Sequence, residues 1–175
     1  MTDLHTADVV AEFRRAPSER GRKHSDALMG LLLDLHDSNL AQWQLEDRVR
    51  EPGADDATVV SAKRAIDELN TARHHLVEAI DIEIDAAMPQ SASATLCTES
   101  PAMVFDRLSV LMIRIHHTQL AAGSGRSDAD VYAARLPILH QQLALLEEAL
   151  DALLEEVHAG TRRFVPYQSL KLYSP

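Results

Sequence analysis

From Leu136 to Val157 the apolar residues step by three and four in alternation: Leu136, Leu139, Leu143, Leu146, Leu150, Leu153 and Val157. That spacing keeps one face of a helix apolar and predicts a bundle seam of the coiled-coil kind. The breakers around it are few and regularly placed. Pro17 and Gly21 end a short first helix over residues 6–16, and Ser25 is a good cap for a second that runs to Glu51 and stops at Pro52-Gly53. Asp55 or Asp56 opens a third helix that reaches Met88 before Pro89. Residues 90–99 are small and polar and read as a loop. Ser100-Pro101, a cap followed by proline at the first helical position, opens a fourth helix to Ala122. Gly123-Ser124-Gly125 is a turn, and Ser127 with Asp130 resembles a capping box for the fifth helix. Pro137 kinks or restarts that helix, and Gly160 closes it. No segment alternates as a strand does, and the tail from Thr161 has no clear period.

Long helices with short connections predict one all-α domain over residues 1–175. Its architecture is an antiparallel up-down four-helix bundle with a short extra N-terminal helix and an irregular C-terminal tail. Such helices bury continuous apolar stripes, and two of them break the rule when residues are placed at about 100° intervals. In the third helix Arg73 falls near the middle of the apolar arc and Asn70 on its edge, with Lys63 and Asp67 flanking. In the second, Asn39 and Glu46 fall among Leu28, Leu31, Leu32, Leu35, Trp43 and Val49. The fourth is apolar almost all round, with Ser109 and His116 at one edge of its stripe and Asp106 and His117 on another side. A buried charge costs several kcal/mol unless it is paired. Glu46 and Arg73 are therefore expected to meet in a polar cluster with Asn39 and Asn70, which Asp106 or His117 would join.

Composition narrows the chemistry. Lys+Arg 17 against Asp+Glu 27 gives a net charge of −10. A chain that acidic lacks the overall attraction that nucleic acid or an anionic membrane surface exerts on basic proteins. One cysteine, Cys97, excludes an intrachain disulfide framework, and a lone loop cysteine is a weak nucleophile candidate. No apolar run approaches the roughly 18 residues of a membrane span. A cytoplasmic, water-soluble protein is the expectation. The chain has nine histidines. His74-His75 and His116-His117 are neighbours that diverge on a helix, and only Glu155-x-x-His158 has di-metal spacing. No metal and no cofactor is expected, and no phosphate loop or nucleophile elbow occurs.

Four ordered segments carry a family resemblance: Asn39 to Asp47, Lys63 to Arg73, Glu99-Ser100-Pro101 with Asp106-Arg107-Leu108-Ser109, and the tail Tyr167 to Tyr173. Together they resemble the bacterial domain of unknown function numbered 4254, over residues 35–175. The resemblance implies a helical fold and no named reaction. It marks Asn39, Trp43, Glu46, Asp47, Lys63, Asp67, Asn70, Arg73, Glu99, Asp106, Arg107, Ser109, His117, Lys171 and Tyr173 as positions matching the family pattern. Gln44 stands where that pattern has histidine, and His116 where it has tyrosine.

The expected site follows. Arg73 and Lys63 engage an anionic group, helped by Asn70, Asn39, Trp43 and Arg107, while Glu46, His117 and Asp106 handle protons. Lys171 and Tyr173 close one end. The partner is a small anionic molecule, bound with or without acid–base chemistry. The other reading is a non-catalytic interaction protein, a homodimer, whose buried polar residues only set helix register.

Overall fold

The structure, a computed structural model, describes residues 4–15, 26–50, 52–53, 55–88 and 90–170. Its order is α1 (Thr6–Phe13), α2 (Ala27–Val49), α3 (Asp56–Ala87), β1 (Thr95–Leu96), α4 (Pro101–Ala122), α5 (Ala129–His158) and β2 (Arg162–Arg163). All five helix starts are capped by polar residues, three of them through a side chain. Asp26 accepts from the Leu28 N–H at 3.0 Å, Asp55 from Thr58 at 2.7 Å and Ser100 from Met103. Each bond satisfies a donor that the first helical turn leaves without a partner. The expected cap Ser25 lies outside the described residues, as do Pro17, Gly21, Glu51 and Pro89. Asp128 caps α5 without a side-chain bond, so the box expected from Ser127 and Asp130 does not form.

Pro137 does not restart α5, which runs through it as one helix. The carbonyl that proline leaves without an N–H belongs to exposed Ala133, where water can take it. At the other end Gly160 has φ +72°, the left-handed conformation that favours glycine. The Thr161 N–H then reaches Glu156 O at 3.0 Å and the Gly160 N–H reaches Val157 O at 3.0 Å, which together close the helix in a Schellman motif.

The core gathers Leu32 and Leu35 from α2, Ile80 and Ile84 from α3, Phe105 and Leu108 from α4, and Leu150 and Val157 from α5, all fully buried. The α5 seam is buried as its spacing predicts at Leu139, Leu143, Leu150 and Val157, with Leu154 added beside them. α2 packs along α3, and α4 along α5; α4 also packs against α2 and α3. Among the described residues α2 and α5 do not pack against each other. α1 fills the space between them at one end, touching α2, α4 and α5. Its Val9 and Val10 are buried, and its Thr6 N–H is held by the Asp151 carboxylate of α5 at 2.8 Å.

Two strands of two residues each depart from the expectation of no strand. β1 and β2 pair in parallel, Thr95 with Arg162 and Leu96 with Arg163. Elements this short carry no period in the sequence. The ladder docks the start of the tail, and Phe164 buries its ring beside it.

Candidate functional site

Three helices bring polar side chains into one hydrogen-bonded line. On α2, His36 and Asn39 are one turn apart; on α4, so are Asp106 and Ser109. His36 Nδ1 lies 2.9 Å from Ser109 Oγ. The Asn39 amide donates to Ser109 Oγ at 3.1 Å and to Asp106 Oδ1 at 2.9 Å. From α3, Arg73 closes the line. Its Nε donates to Asp106 Oδ1 at 2.8 Å and its Nη2 to Asp106 Oδ2, a bidentate fork. The Asp106 hydrogen bond is the main cause that raises the pKa of Arg73, partly opposed by burial.

Arg73 thus meets a carboxylate, as a guanidinium on an apolar arc must, but the carboxylate is Asp106 and not Glu46. Glu46 lies toward the end of α2, where it accepts from Arg50 at 3.0 Å and from Gln42 at 3.3 Å. Helical-wheel placement puts a residue on a face but does not say how far that face extends along the partner helix, and α2 is exposed again by Asp47 and Arg48. Lys63 pairs with Asp67 at 2.8 Å on the outer side of α3, and Arg107 with Glu99 at 2.9 Å. Exposed pairs of this kind contribute ~0–1 kcal/mol. Asn70 is half-buried one turn before Arg73. Lys171 and Tyr173 lie outside the described residues. The expected cluster therefore keeps Asn39, Arg73 and Asp106 and loses Glu46, Lys63 and Arg107 to local pairs.

A second group stands beside the line. Trp43 and His117 stack with ring centroids 5.1 Å apart, and His116 meets His117 edge-on at 5.4 Å. Trp43 Nε1 and His117 Nε2 are buried without a hydrogen-bond partner. His117 also borders a cavity of about 550 Å³. This cavity lies where α2 and α5 fail to meet, beyond the plug formed by α1. Its polar wall is His36, Gln44, His116, His117 and His140, with Arg14 at the end of α1; Phe13, Met112 and Leu143 supply apolar wall. His36, which ends the hydrogen-bonded line, stacks on Phe13 at 4.2 Å. Gln44 and His116 line this cavity.

Burial, reinforced by His116 and opposed by Asp47, lowers the pKa of His117. A histidine depressed below its unfolded value of 6.5 contributes stability that is present above that value. This contribution is lost as pH falls from there through the folded value. Titration of the His117 ring protons by NMR is expected to give a midpoint below 6.5, and His117→Gln to flatten the stability profile over that acid interval. A midpoint above the unfolded value would contradict the burial.

Asp81 is fully buried, and nothing in its charge alone singled it out. Its Oδ1 accepts from the Ala102 N–H at 3.0 Å, at the start of α4, and its Oδ2 from the Tyr167 N–H at 2.8 Å in the tail. A further hydrogen bond comes from Ser100, yet burial dominates and raises the pKa. The signal was legible: Val77, Ile80, Asp81 and Ile84 follow the spacing of a buried stripe. Tyr167 continues the strap. Its hydroxyl lies 2.6 Å from His74 Nδ1 with the rings stacked, beside Arg73 in sequence. The tail therefore packs along α3 through residues before Lys171.

Among the described residues no three His, Cys, Asp or Glu side chains gather closely enough to hold a metal ion, and no helix is long and apolar enough to cross a membrane. Cys97 is half-buried against the core, its N–H bonded to Arg163 O at 2.8 Å.

These features define an all-α protein with a histidine-lined cavity next to an inter-helix polar line. The family described as Protein of unknown function (DUF4254) matches residues 29–165, and the chain belongs to that family. No curated protein and no solved structure matches it.

Proposed function

We propose that this protein binds a small organic acid in the cavity between α1, α2, α4 and α5. One observation carries the reading: His117, with Nε2 buried and unpartnered, borders a space large enough for a small molecule. The apolar wall takes the body of the ligand. The imidazoles and Arg14 meet its acidic group. The Arg73–Asp106–Asn39–Ser109 line is the support behind it, fixing α2, α3 and α4 in register and orienting His36. Its ion pair is already closed, so the anion is met at the cavity and not at Arg73 or Lys63. The residues expected to share protons stand apart, since Glu46 is on Arg50 and Asp106 is on Arg73. Binding is accordingly preferred to acid–base catalysis. Short connections between packed neighbours support an antiparallel up-down order of the long helices.

Thermal-shift screening against small aliphatic and aromatic carboxylic acids tests the reading. An acid present at about 100 times its Kd stabilises by ~2.7 kcal/mol. Gln44→Trp, at an exposed position on the cavity wall, is expected to fold normally and abolish the shift. An acid that stabilises wild type and Gln44→Trp equally would place the ligand elsewhere. The second reading, a homodimer with structural polar residues, is favoured by Val131, Ile138 and Leu145, exposed one heptad apart on α5. A dimeric mass together with no response to any acid would establish it instead.

A further inference from the structure

His117 also borders a second space, of about 740 Å³, whose chemistry differs from that of the cavity. Trp43 and Asp47 of α2 face Arg114 of α4 and Arg135 of α5 across it, with Arg126 at the α4–α5 turn and Tyr132 and Ile138 as apolar wall. Among the described residues the ion pairs here are Arg126 with Asp128 at 3.0 Å and Asp47 with Arg50 at 3.7 Å. Arg114 and Arg135 take part in neither. Arg135 lies instead over the Tyr132 ring, 5.2 Å from its centroid. The Thr118 hydroxyl donates to Arg114 O at 2.7 Å, so its proton is used. Trp43 Nε1–H is buried without an acceptor.

The groove therefore holds two guanidiniums, Arg114 and Arg135, that no carboxylate among the described residues pairs. Guanidinium and indole N–H groups can only donate. The one carboxylate in the lining, Asp47, lies 3.7 Å from Arg50 in an ion pair, and neither Arg114 nor Arg135 has one. Such a surface is complementary to a ligand that only accepts. Two arginines from different helices lining one groove suit the several oxygens of a phosphoryl group better than the two of a carboxylate. We infer that this groove binds a phosphomonoester, its oxygens on Arg114 and Arg135 and its organic part against Tyr132 and Ile138. The site is separate from the organic-acid cavity and does not depend on it.

Trp43 is the only tryptophan, so its emission reports this groove directly. Phenyl phosphate titrated into the full chain is expected to change that emission saturably, with inorganic phosphate competing and affinity falling as salt rises. Calorimetry is expected to show that Arg114→Gln/Arg135→Gln, at exposed positions, weakens binding about tenfold or more while circular dichroism stays unchanged. Gln44→Trp is expected to bind phenyl phosphate as wild type does, which separates this site from the cavity. The proposal is overturned by the absence of a saturable response. Unchanged affinity in the double variant, or benzoate binding as tightly as phenyl phosphate, would overturn it as well.

Discussion

Replacing Asp106 by alanine is expected to destabilise the protein by about 2–3 kcal/mol. The carboxylate accepts from both Arg73 and Asn39, and its removal leaves a guanidinium and an amide facing a space that no longer answers them. A fully buried ion pair broken on one side costs ~3–5 kcal/mol. The lower figure applies because the Arg73 side chain keeps 30% of its exposure and can reach water. Urea unfolding measures the loss as a shift in midpoint at constant slope. Arg73→Met/Asp106→Leu removes both charges and restores apolar contact, so it is expected to be more stable than Asp106→Ala. That order separates the stability of the pair from the penalty for breaking it. A double variant less stable than Asp106→Ala would mean that the ion pair itself stabilises the fold beyond what apolar packing supplies.

Asp81→Ala is expected to cost a similar amount, about 2–4 kcal/mol, and to release the tail. Two backbone donors, at Ala102 and Tyr167, lose their acceptor in a region where no water replaces it without cost. The Ala102 donor belongs to the first turn of α4, where an anion also meets the helix dipole. Loss of the Tyr167 bond detaches the strap that carries Phe164 over the core. Trypsin is expected to cut the variant near Arg162 and Arg163 faster than wild type. Equal cleavage rates would show that the β1–β2 ladder holds the tail without Asp81.

The same residue fixes a pH trend. Its folded pKa is raised, so the folded state holds its proton more tightly than the unfolded chain does. That contribution is fully present below the unfolded value of 3.8 and is lost as pH rises through the folded value. His117 acts in the opposite sense over a different interval, losing its contribution as pH falls from 6.5. The two are separable because His117→Gln leaves the carboxylate trend in place.

Arg73 in an apolar arc could be read as needing an anion, because burial of charge is costly wherever the partner comes from. Which anion it meets depends on the vertical stagger of α3 against α2 and α4, and helix periodicity contains no such coordinate. The wheel pointed to Glu46, and stagger gave Arg73 to Asp106 instead. Trp43 and His117 were both placed in the expected site, but their stacking is a contact between α2 and α4 and has no signature in either helix. Asp81 was readable from the stripe it interrupts, yet its two acceptor roles depend on the return of the tail.

The number, type and approximate ends of the long helices were set locally, by apolar spacing and by Ser, Asp, Pro and Gly at their termini. The all-α class and the α5 seam follow from the same short-range rules. Only the tertiary arrangement decided that α5 packs on α4 and not on α2, and that α1 fills only part of the gap. It also set the ladder between β1 and β2. The cavity, the arginine groove and the pairing of Arg73 all arise from that packing, because they depend on distances between helices, which side chains settle only when the whole core closes.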